Sequence, residues 1–166
     1  MKRLYSWAWQ RALAGRTGAL TRVFMWMIPF NKPHRFQIVR LQPGTAAVSA
    51  ALTRANRNHI GTMHACALAT IGEFAAGLAL LGAFSPTEYR LIMSRLEVDY
   101  LRRADGPVTA ESALPDADRA QLQGHLQAEG KAERVMTAHL RNGAGDLVAE
   151  VRTHWQMKAW GKVGRA

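Results

Sequence analysis

The longest apolar pattern of the chain lies between Thr62 and Gly82. Apolar residues recur there at helical spacing and form one stripe, while the opposite face holds only small residues. A helix without a polar face is normally buried on all sides. The pattern therefore predicts a central buried helix whose N-cap is Thr62. The stripe is Met63, Ala67, Ile71, Phe74, Leu78 and Leu81, and the small face is Ala65, Ala69, Gly72, Ala76 and Ala79.

Alternation of apolar and polar residues predicts six strands around this helix, at 36–41, 46–53, 91–102, 108–114, 131–141 and 147–157. Pro43-Gly44 joins the first pair, Asp105-Gly106 leads from the third strand into the fourth, and 142–145 closes the last hairpin. A short helix at 116–128, capped by Asp116 and ended near Gly130, precedes that hairpin. On the third strand, the alternation places one set of side chains on a common face: Ile92, Ser94, Leu96, Val98 and Tyr100.

Residues 2–29 are predicted to form two short helices, with Gly15 ending the first and Thr17 capping the second. We expect their apolar stripe to pack on the domain or on a partner subunit. The alternative is contact with a membrane surface, because tryptophan and arginine are interspersed here. The expected organisation is an N-terminal helical segment, one domain and a basic tail, at 1–33, 34–160 and 161–166.

Composition narrows the class of protein. The chain has 166 residues, enough for one domain with a sizeable core, and its single cysteine excludes an internal disulfide framework. A cytoplasmic protein is therefore expected. Arginines interrupt the N-terminal apolar segment before a signal sequence forms, and no stretch is expected to have the roughly twenty apolar residues that a transmembrane helix needs. The net charge of +10 indicates an anionic partner: nucleic acid, a membrane surface or a phosphate-bearing ligand. The basic residues are spread without a recognised nucleic-acid motif, so no nucleic acid is expected.

Besides Cys66, only His64 and Glu73 can ionise between Thr62 and Gly82. A carboxylate on a buried helix must be paired, protonated or used in chemistry, because leaving it unpaired away from water is costly. Glu73 is therefore the strongest candidate for a catalytic residue. Its alternative role is a structural acid paired with an arginine of a partner subunit.

Three residues around this helix are similar in spacing to a known family pattern. Asn58 stands six residues before His64, and Glu73 stands nine residues after it. The stretch 96–112, L-E-V-D-Y-L-R-R-A-D-G-P-V-T-A-E-S, resembles the third strand, turn and fourth strand of the same family. Over 36–157 the chain thus resembles hotdog-fold acyl-CoA thioesterases of the PaaI-like type, including the DUF4442 branch.

The resemblance implies an α+β hotdog fold, a curled antiparallel sheet wrapped around one long central helix, with the N-terminal helices as additions. It implies that the backbone N–H of Ala65 forms an oxyanion hole, that Glu73 is general base or nucleophile, and that Asn58 orients water or the thioester. Such a site is shared between two subunits, which implies a homodimer or a dimer of dimers. The implied substrate is an acyl-CoA, with coenzyme A as part of the substrate and no other cofactor.

Two departures from the family pattern keep alternatives open. His-Gly-Gly is His64-Ala65-Cys66 here, and the acid is glutamate rather than the commoner aspartate. One alternative is a binder of acyl-CoA without catalysis. A hotdog dehydratase is the other, since such an enzyme needs a histidine and an acid over one substrate.

The remaining candidates surround the helix start. Gly61, Thr62 and Cys66 are expected to line the substrate site, although Cys66 also fits as a small packed residue. Asn58 is equally suited to a turn, and His64 to a backbone hydrogen bond at the helix start. Four arginines are expected near the coenzyme A phosphates or on a solvated basic surface: Arg54, Arg57, Arg102 and Arg103. No metal is expected, because the histidines show no ligand-like spacing.

Overall fold

Six antiparallel strands form one sheet that curls around a long helix in the computed structural model, which describes residues 2–162. This is the expected α+β hotdog fold, preceded by two helices. Most of the predicted basic tail lies outside the described residues. The helices are α1 (Lys2–Leu13), α2 (Gly18–Met27), α3 (Ala65–Ala83) and α4 (Asp116–Glu129). The strands are β1 (Gln37–Gln42), β2 (Thr45–Ala50), β3 (Tyr89–Tyr100), β4 (Val108–Ala113), β5 (Lys131–Asn142) and β6 (Leu147–Ala159).

The order of strands in the sheet is β1-β2-β4-β5-β6-β3, so β3 lies at an edge beside β6. The segment after β3 therefore crosses from the edge towards β4 and does not form a tight hairpin at Asp105-Gly106. On its way it passes the start of α3, where the backbone N–H of Met63 donates to the carbonyl oxygen of Ala104 at 2.8 Å. This crossover brings residues 100–104, at and after the end of β3, to the start of α3.

A β-bulge corrects the predicted face of β3. The register against β6 shifts between Met93 and Arg95, so that Met93 pairs with Trp155. An extra residue in one strand reverses the alternation beyond it. Leu96, Val98 and Tyr100 share one face as predicted, and this face points to the central helix because they pair with inward-facing residues of β6. Ile92 and Ser94 do not share that face, and Leu91 and Met93 take their place.

The small face of α3 allows the helix to lie very close to the sheet. A Cβ atom added at Gly72 would lie 2.5 Å from Cγ2 of Val151, and one at Gly77 would lie 3.2 Å from the ring of Trp155. Real Cβ atoms do not approach as closely as the first of these distances. Glycine at position 72 is therefore required by packing on β6.

The N-terminal helices pack on the domain, as expected, and touch α3 at Phe74. Phe74 packs edge-on against Phe24 of α2, with ring centroids 5.4 Å apart, and stacks near Phe36 at 6.5 Å. Ala8 and Leu20 are fully buried in the same core. Burial of this kind contributes about 25 cal/mol for each Å² of apolar surface removed from water. The two helices are thus part of one hydrophobic core with the sheet.

Helix ends were predicted less well than the helices themselves. Gly15 follows α1 with a φ of +81°, and Gly130 ends α4 with a φ of +69°, as the sequence predicts. Thr17 occupies the N-cap position of α2, but its side chain makes no capping hydrogen bond. Pro115 rather than Asp116 is the N-cap of α4, because proline already has the extended conformation that precedes a helix.

The central helix is the single segment of residues 2–162 that is long and apolar enough to cross a membrane by length and composition. The expectation that no such segment exists is therefore wrong. Its length and apolarity have another cause, since α3 lies inside the sheet and most of its side chains are buried. An apolar helix surrounded by protein is the core helix of a domain.

Candidate active site

The loop before α3 is held by the side chain of Asn58. Its Oδ1 accepts hydrogen bonds from the backbone N–H groups of Ile60 and Thr62, at 3.1 and 3.0 Å. Its Nδ2 donates to Oγ1 of Thr62 at 2.8 Å, and Gly61 completes the turn with a φ of +85°. Asn58 is therefore a turn residue in this structure, and its role in orienting water or the thioester stays a prediction.

The N-cap of α3 is His64 and not Thr62. The helix begins at Ala65, two residues later than predicted, because the Thr62 hydroxyl is taken by Asn58. Nδ1 of His64 accepts from the backbone N–H of Cys66 at 3.0 Å. A ring nitrogen that accepts carries no proton, so the neutral ring bears its proton on Nε2. The expected backbone bond of His64 is confirmed, and its ring is a cap.

The capping pattern leaves one donor free at the helix start. The N–H of Cys66 donates to the His64 ring, and the N–H of Ala67 donates to the carbonyl oxygen of His64 at 2.9 Å. The N–H of Ala65 has no partner among residues 2–162. Backbone N–H groups at a helix N-terminus carry a partial positive charge that stabilises a nearby anion. Ala65 therefore has the geometry required of an oxyanion donor.

A shallow hollow of about 380 Å³ opens at this helix start. The loop before α3, its first turn and the crossover after β3 form the walls. Six of the lining residues are Asn58, Thr62, Ala65, Tyr100, Arg102 and Arg103. The hollow thus brings together half of the ten predicted site residues, including two of the arginines. Arg57 and Gly61 are exposed beside the loop but do not line the hollow.

Tyr100 is a site residue that the sequence analysis did not select. Its hydroxyl donates to the carbonyl oxygen of Ala65 at 3.1 Å, and half of its surface is exposed. Partial burial, and to a smaller extent the nearby Cys66, raise the pKa of the tyrosine hydroxyl. The available signal was its place on the predicted common face, at the end of β3. Its position over the first turn of α3 followed only from the crossover.

Glu73 lies two turns further along α3 and is partly buried. It forms no ion pair among residues 2–162. Burial alone raises the pKa of its carboxyl from 4.5 to about 7, because an apolar environment disfavours the charged form. A carboxyl with this pKa exchanges protons readily near neutral pH, as a general base must.

One narrow strip of α3 remains uncovered within the chain. It consists of Cys66, Ala69, Thr70 and Glu73, which follow one another at helical spacing and are exposed or half-buried. The expectation that Cys66 is packed is therefore wrong for the single chain. Beside the strip, the inward face of β3 is also open, with Met93 and Leu96 each more than one third exposed. This open face is large, apolar and continuous with the helix start.

The separation between Ala65 and Glu73 limits what one chain can do. Eight residues of α-helix span about 12 Å along the axis at 1.5 Å per residue. A thioester carbonyl that accepts from the N–H of Ala65 is therefore far from the carboxyl of the same chain. Two copies that each supply one of these groups are one way to bring both to the same substrate.

Among residues 2–162, no three side chains of histidine, cysteine, aspartate and glutamate lie close enough to share a metal ion. The expectations of no metal and no cofactor stay predictions. A further hollow of about 390 Å³ between α4 and the strands β5 and β6 contains neither Glu73 nor the helix start. We assign the candidate site to the start of α3 because the free donor, the arginines and the apolar opening meet there.

Comparison with solved structures agrees with this fold. A protein of unknown function from Pseudomonas aeruginosa, described as a probable thioesterase, is 28% identical, with a TM-score of 0.77 over 84% of this chain and 94% of that one. A thioesterase mutant from Staphylococcus aureus is 19% identical, with a TM-score of 0.65 over 78% and 98%. A thioesterase from Haemophilus influenzae is 11% identical, with a TM-score of 0.70 over 89% and 93%. At these last two identities the likeness concerns the fold alone.

Comparison with sequences gives the family. No curated protein matches the chain. The model of the domain of unknown function DUF4442 matches residues 16–157, which extends from just before α2 to near the end of β6. The match includes the second N-terminal helix, which the resemblance noted from sequence had left outside the family pattern. The match includes α3, with both Ala65 and Glu73, and nearly the whole sheet. The chain therefore belongs to the DUF4442 family of the hotdog thioesterase superfamily.

Proposed function

We propose that this protein hydrolyses the thioester bond of an acyl-CoA in the cytoplasm. The observation that carries the proposal is Glu73, a carboxyl on the open strip of the central helix that forms no ion pair within the described residues 2–162. An acid in this setting destabilises the fold at neutral pH, and a strongly raised pKa beside an open surface is typical of a functional carboxyl. The thioesterase names of the structural neighbours support the same reaction class.

Hydrolysis requires a base, an acceptor of negative charge and a leaving thiolate. In the proposed reaction, ionised Glu73 takes a proton from water, and the hydroxide attacks the thioester carbonyl carbon. The negative charge that develops on the carbonyl oxygen is stabilised by the N–H of Ala65 and the helix dipole. The C–S bond then breaks, and the coenzyme A thiolate receives the proton from Glu73.

Direct attack by Glu73 is the second route to the same products. The carboxylate then forms an anhydride with the acyl group and releases the thiolate, and water opens the anhydride in a later step. Single turnover in ¹⁸O-labelled water distinguishes the two routes. In a single turnover of the first route, the label enters the released carboxylic acid. In the second route, water that opens the anhydride at the Glu73 carbonyl leaves the label on Glu73 and releases an unlabelled acid.

The arginines near the helix start support coenzyme A as the carrier of the acyl group. Arg102 and Arg103 line the hollow, and Arg57 is exposed beside it. Guanidinium groups bind phosphate oxygens with paired hydrogen bonds. We assign the phosphates of coenzyme A to these side chains and the acyl chain to the apolar opening between α3 and β3.

We further propose that two copies form the site together. The separation of about 12 Å along the helix axis between the backbones of Ala65 and Glu73 supports this arrangement. Pairing through the open strip of α3 and the inward face of β3 covers the exposed apolar side chains and places Glu73 of one copy near Ala65 of the other. A dimer of dimers remains compatible with the same contact.

The proposal is tested with a panel of acyl-CoA substrates and three proteins: wild type, Glu73→Gln and, as a control, Glu129→Gln. Glu129 is an exposed acid at the end of α4. We expect wild-type turnover to rise with pH through about 7, where the base becomes ionised. Glu73→Gln lowers turnover by roughly 10²-fold or more, the usual scale for loss of a general base, and the control does not. Equal turnover of wild type and Glu73→Gln contradicts the proposed role.

A binding protein without catalysis is the second candidate. It is favoured by Ala65 and Cys66, since the two side chains narrow the approach to the helix start where the family has glycine. Calorimetry with a non-hydrolysable acyl-CoA analogue measures binding, and the substrate panel measures turnover. Tight binding without turnover on any substrate supports the binding protein over the thioesterase. The dehydratase hypothesis is weakened because the His64 ring caps α3.

A further inference from the structure

The charge of this protein is divided unequally along the chain. The first 72 residues contain ten lysines and arginines and no aspartate or glutamate, and the remaining 94 residues contain twelve of each sign. The whole net charge of +10 therefore arises before Glu73. Basic residues are spread over the sequence, but acidic ones are absent from the N-terminal helices, β1, β2 and the loop before α3.

Large apolar side chains are exposed in the same part of the molecule. The inner faces of α1 and α2 pack on the domain, but five large side chains outside these faces are at least half exposed: Leu4, Trp7, Trp26, Met27 and Phe30. Three of them follow each other at the end of α2 and in the 3₁₀ turn Pro29–His34. Soluble proteins rarely expose aromatic and aliphatic side chains at this density without a partner.

A hollow in this part of the molecule is lined by Met25, Trp26 and three cations. It measures about 540 Å³ and lies between α2, the 3₁₀ turn and the start of β1. Arg22, Met25, Trp26, Lys32 and Arg35 line it. None of the three cations belongs to an ion pair among residues 2–162. The basic aromatic surface, as we call it, consists of these five residues together with Met27 and Phe30.

We propose that the basic aromatic surface docks the protein on an anionic phospholipid bilayer. Tryptophan, phenylalanine and methionine enter the boundary between headgroups and acyl chains, while arginine and lysine attract anionic headgroups. The hollow accommodates a headgroup phosphate between its three cations. This inference does not depend on the proposed reaction.

Two other occupants fit less well. A second copy seated on the same surface by two-fold symmetry brings six cations together without any acidic residue to offset them. Nucleic acid satisfies the cations, but Met25 and Met27 offer it no hydrogen bond or stacking face. A bilayer satisfies both the charged and the apolar members of the surface.

The test is flotation of the full chain with vesicles of phosphatidylcholine alone and of phosphatidylcholine with phosphatidylglycerol. We expect binding to the anionic vesicles that is weakened by salt, and little binding to the neutral ones. Replacing Arg22 and Lys32 together by glutamine lowers affinity roughly fivefold for each cation removed. Trp26→Ser lowers it roughly tenfold, as expected for a large side chain that loses its apolar environment.

Matched controls lie outside this surface. Lys131 and Arg141 are exposed cations on β5, and Trp160 is an exposed tryptophan after β6. Replacing Lys131 and Arg141 by glutamine, or Trp160 by serine, leaves vesicle affinity within about twofold of wild type, since neither change touches the basic aromatic surface. Circular dichroism and thermal melting verify that each variant is folded.

Four results overturn the inference. Wild type that binds anionic and neutral vesicles equally, or neither, contradicts it without any variant. An equal loss of binding in the control pair and the Arg22 and Lys32 pair indicates diffuse attraction and not a defined surface. Sedimentation that shows a smaller assembly for Trp26→Ser identifies a contact between copies. Salt-sensitive retention on duplex DNA, without vesicle binding, identifies nucleic acid as the partner.

Discussion

Glu73 is the first acidic residue of the chain and lies in the middle of its most apolar helix. This position lowers the stability of the fold when the carboxyl is ionised, and it also suits the carboxyl to act as a general base. Burial raises the pKa of its carboxyl from 4.5 to about 7, so the folded protein holds the proton more tightly than the unfolded chain. The same property leaves the carboxyl partly ionised at neutral pH, where a general base is effective.

The raised pKa predicts how stability depends on pH. Below pH 4.5 the carboxyl is protonated in both states, and between 4.5 and about 7 only the folded state keeps its proton. The contribution of Glu73 to the free energy of unfolding is therefore complete below 4.5 and decreases as pH rises to about 7, by up to about 3 kcal/mol. Urea denaturation from pH 5 to pH 8 measures this decrease in wild type.

Glu73→Gln provides the comparison, because glutamine has no proton to lose. We expect the variant to lack this part of the pH dependence and to be more stable than wild type at pH 8. The gain agrees with a buried acid kept for function. A parallel pH dependence in both proteins indicates that Glu73 is solvated or paired in solution.

Ala65 offers a second prediction at the level of one residue. Ala65→Pro deletes the free N–H while preserving the helix, because proline is favoured at the first helical position. The preceding His64 has φ −68° and ψ 139°, the extended conformation that proline requires before it. Turnover falls by roughly 10² to 10³-fold, the scale for one oxyanion donor, with little change in melting temperature. Unchanged turnover excludes this N–H as the oxyanion donor.

Sequence patterns identified single residues where one property was decisive. An acid in an otherwise apolar helix is visible without a structure, and so is the spacing from His64 to Glu73. The roles of Asn58 and Thr62 were not visible, since several hydrogen-bond partners lay within reach and only the folded loop selects among them. The contact of Tyr100 with Ala65 depends on a crossover between distant segments.

At the scale of elements, the approach of α3 to β6 is set by glycine. Gly72→Ala places a methyl group against Val151, and we expect a net loss of about 1–2 kcal/mol in the free energy of unfolding. Gly124→Ala is the matched control, because α4 has open space at that position and alanine favours helix. The control gains about 0.5–1 kcal/mol. Denaturation of both variants measures the difference, and equal effects contradict the close packing.

All six strands and four helices were predicted from periodicity, with ends displaced by at most three residues. Ile92 and Ser94 were assigned to the wrong face of β3 for a local reason. The sequence shows no sign of the β-bulge between Met93 and Arg95, and a strict two-residue alternation assumes that there is none. The position of β3 at the sheet edge has a global cause. Strand order depends on which pairs bury the most surface, and neighbours in sequence are not always neighbours in the sheet.

At the scale of the whole molecule, the open strip of α3 and the open face of β3 predict association. Exposed apolar side chains around a buried acid are expected at an interface between copies. Sedimentation velocity at micromolar concentration measures the assembly, and we expect a dimer or a dimer of dimers. A folded monomer under these conditions excludes a shared site.

The most direct measurement mixes two inactive proteins. Ala65→Pro lacks the donor and Glu73→Gln lacks the base, so neither homodimer has a complete site. Unfolded together and refolded as mixed dimers, they form one intact site in each mixed dimer, from Glu73 of one chain and Ala65 of the other. We expect about a quarter of the wild-type acyl-CoA turnover, because half of the dimers are mixed and each has one working site of two. Activity that stays at the level of the two parents contradicts a thioesterase site shared between subunits.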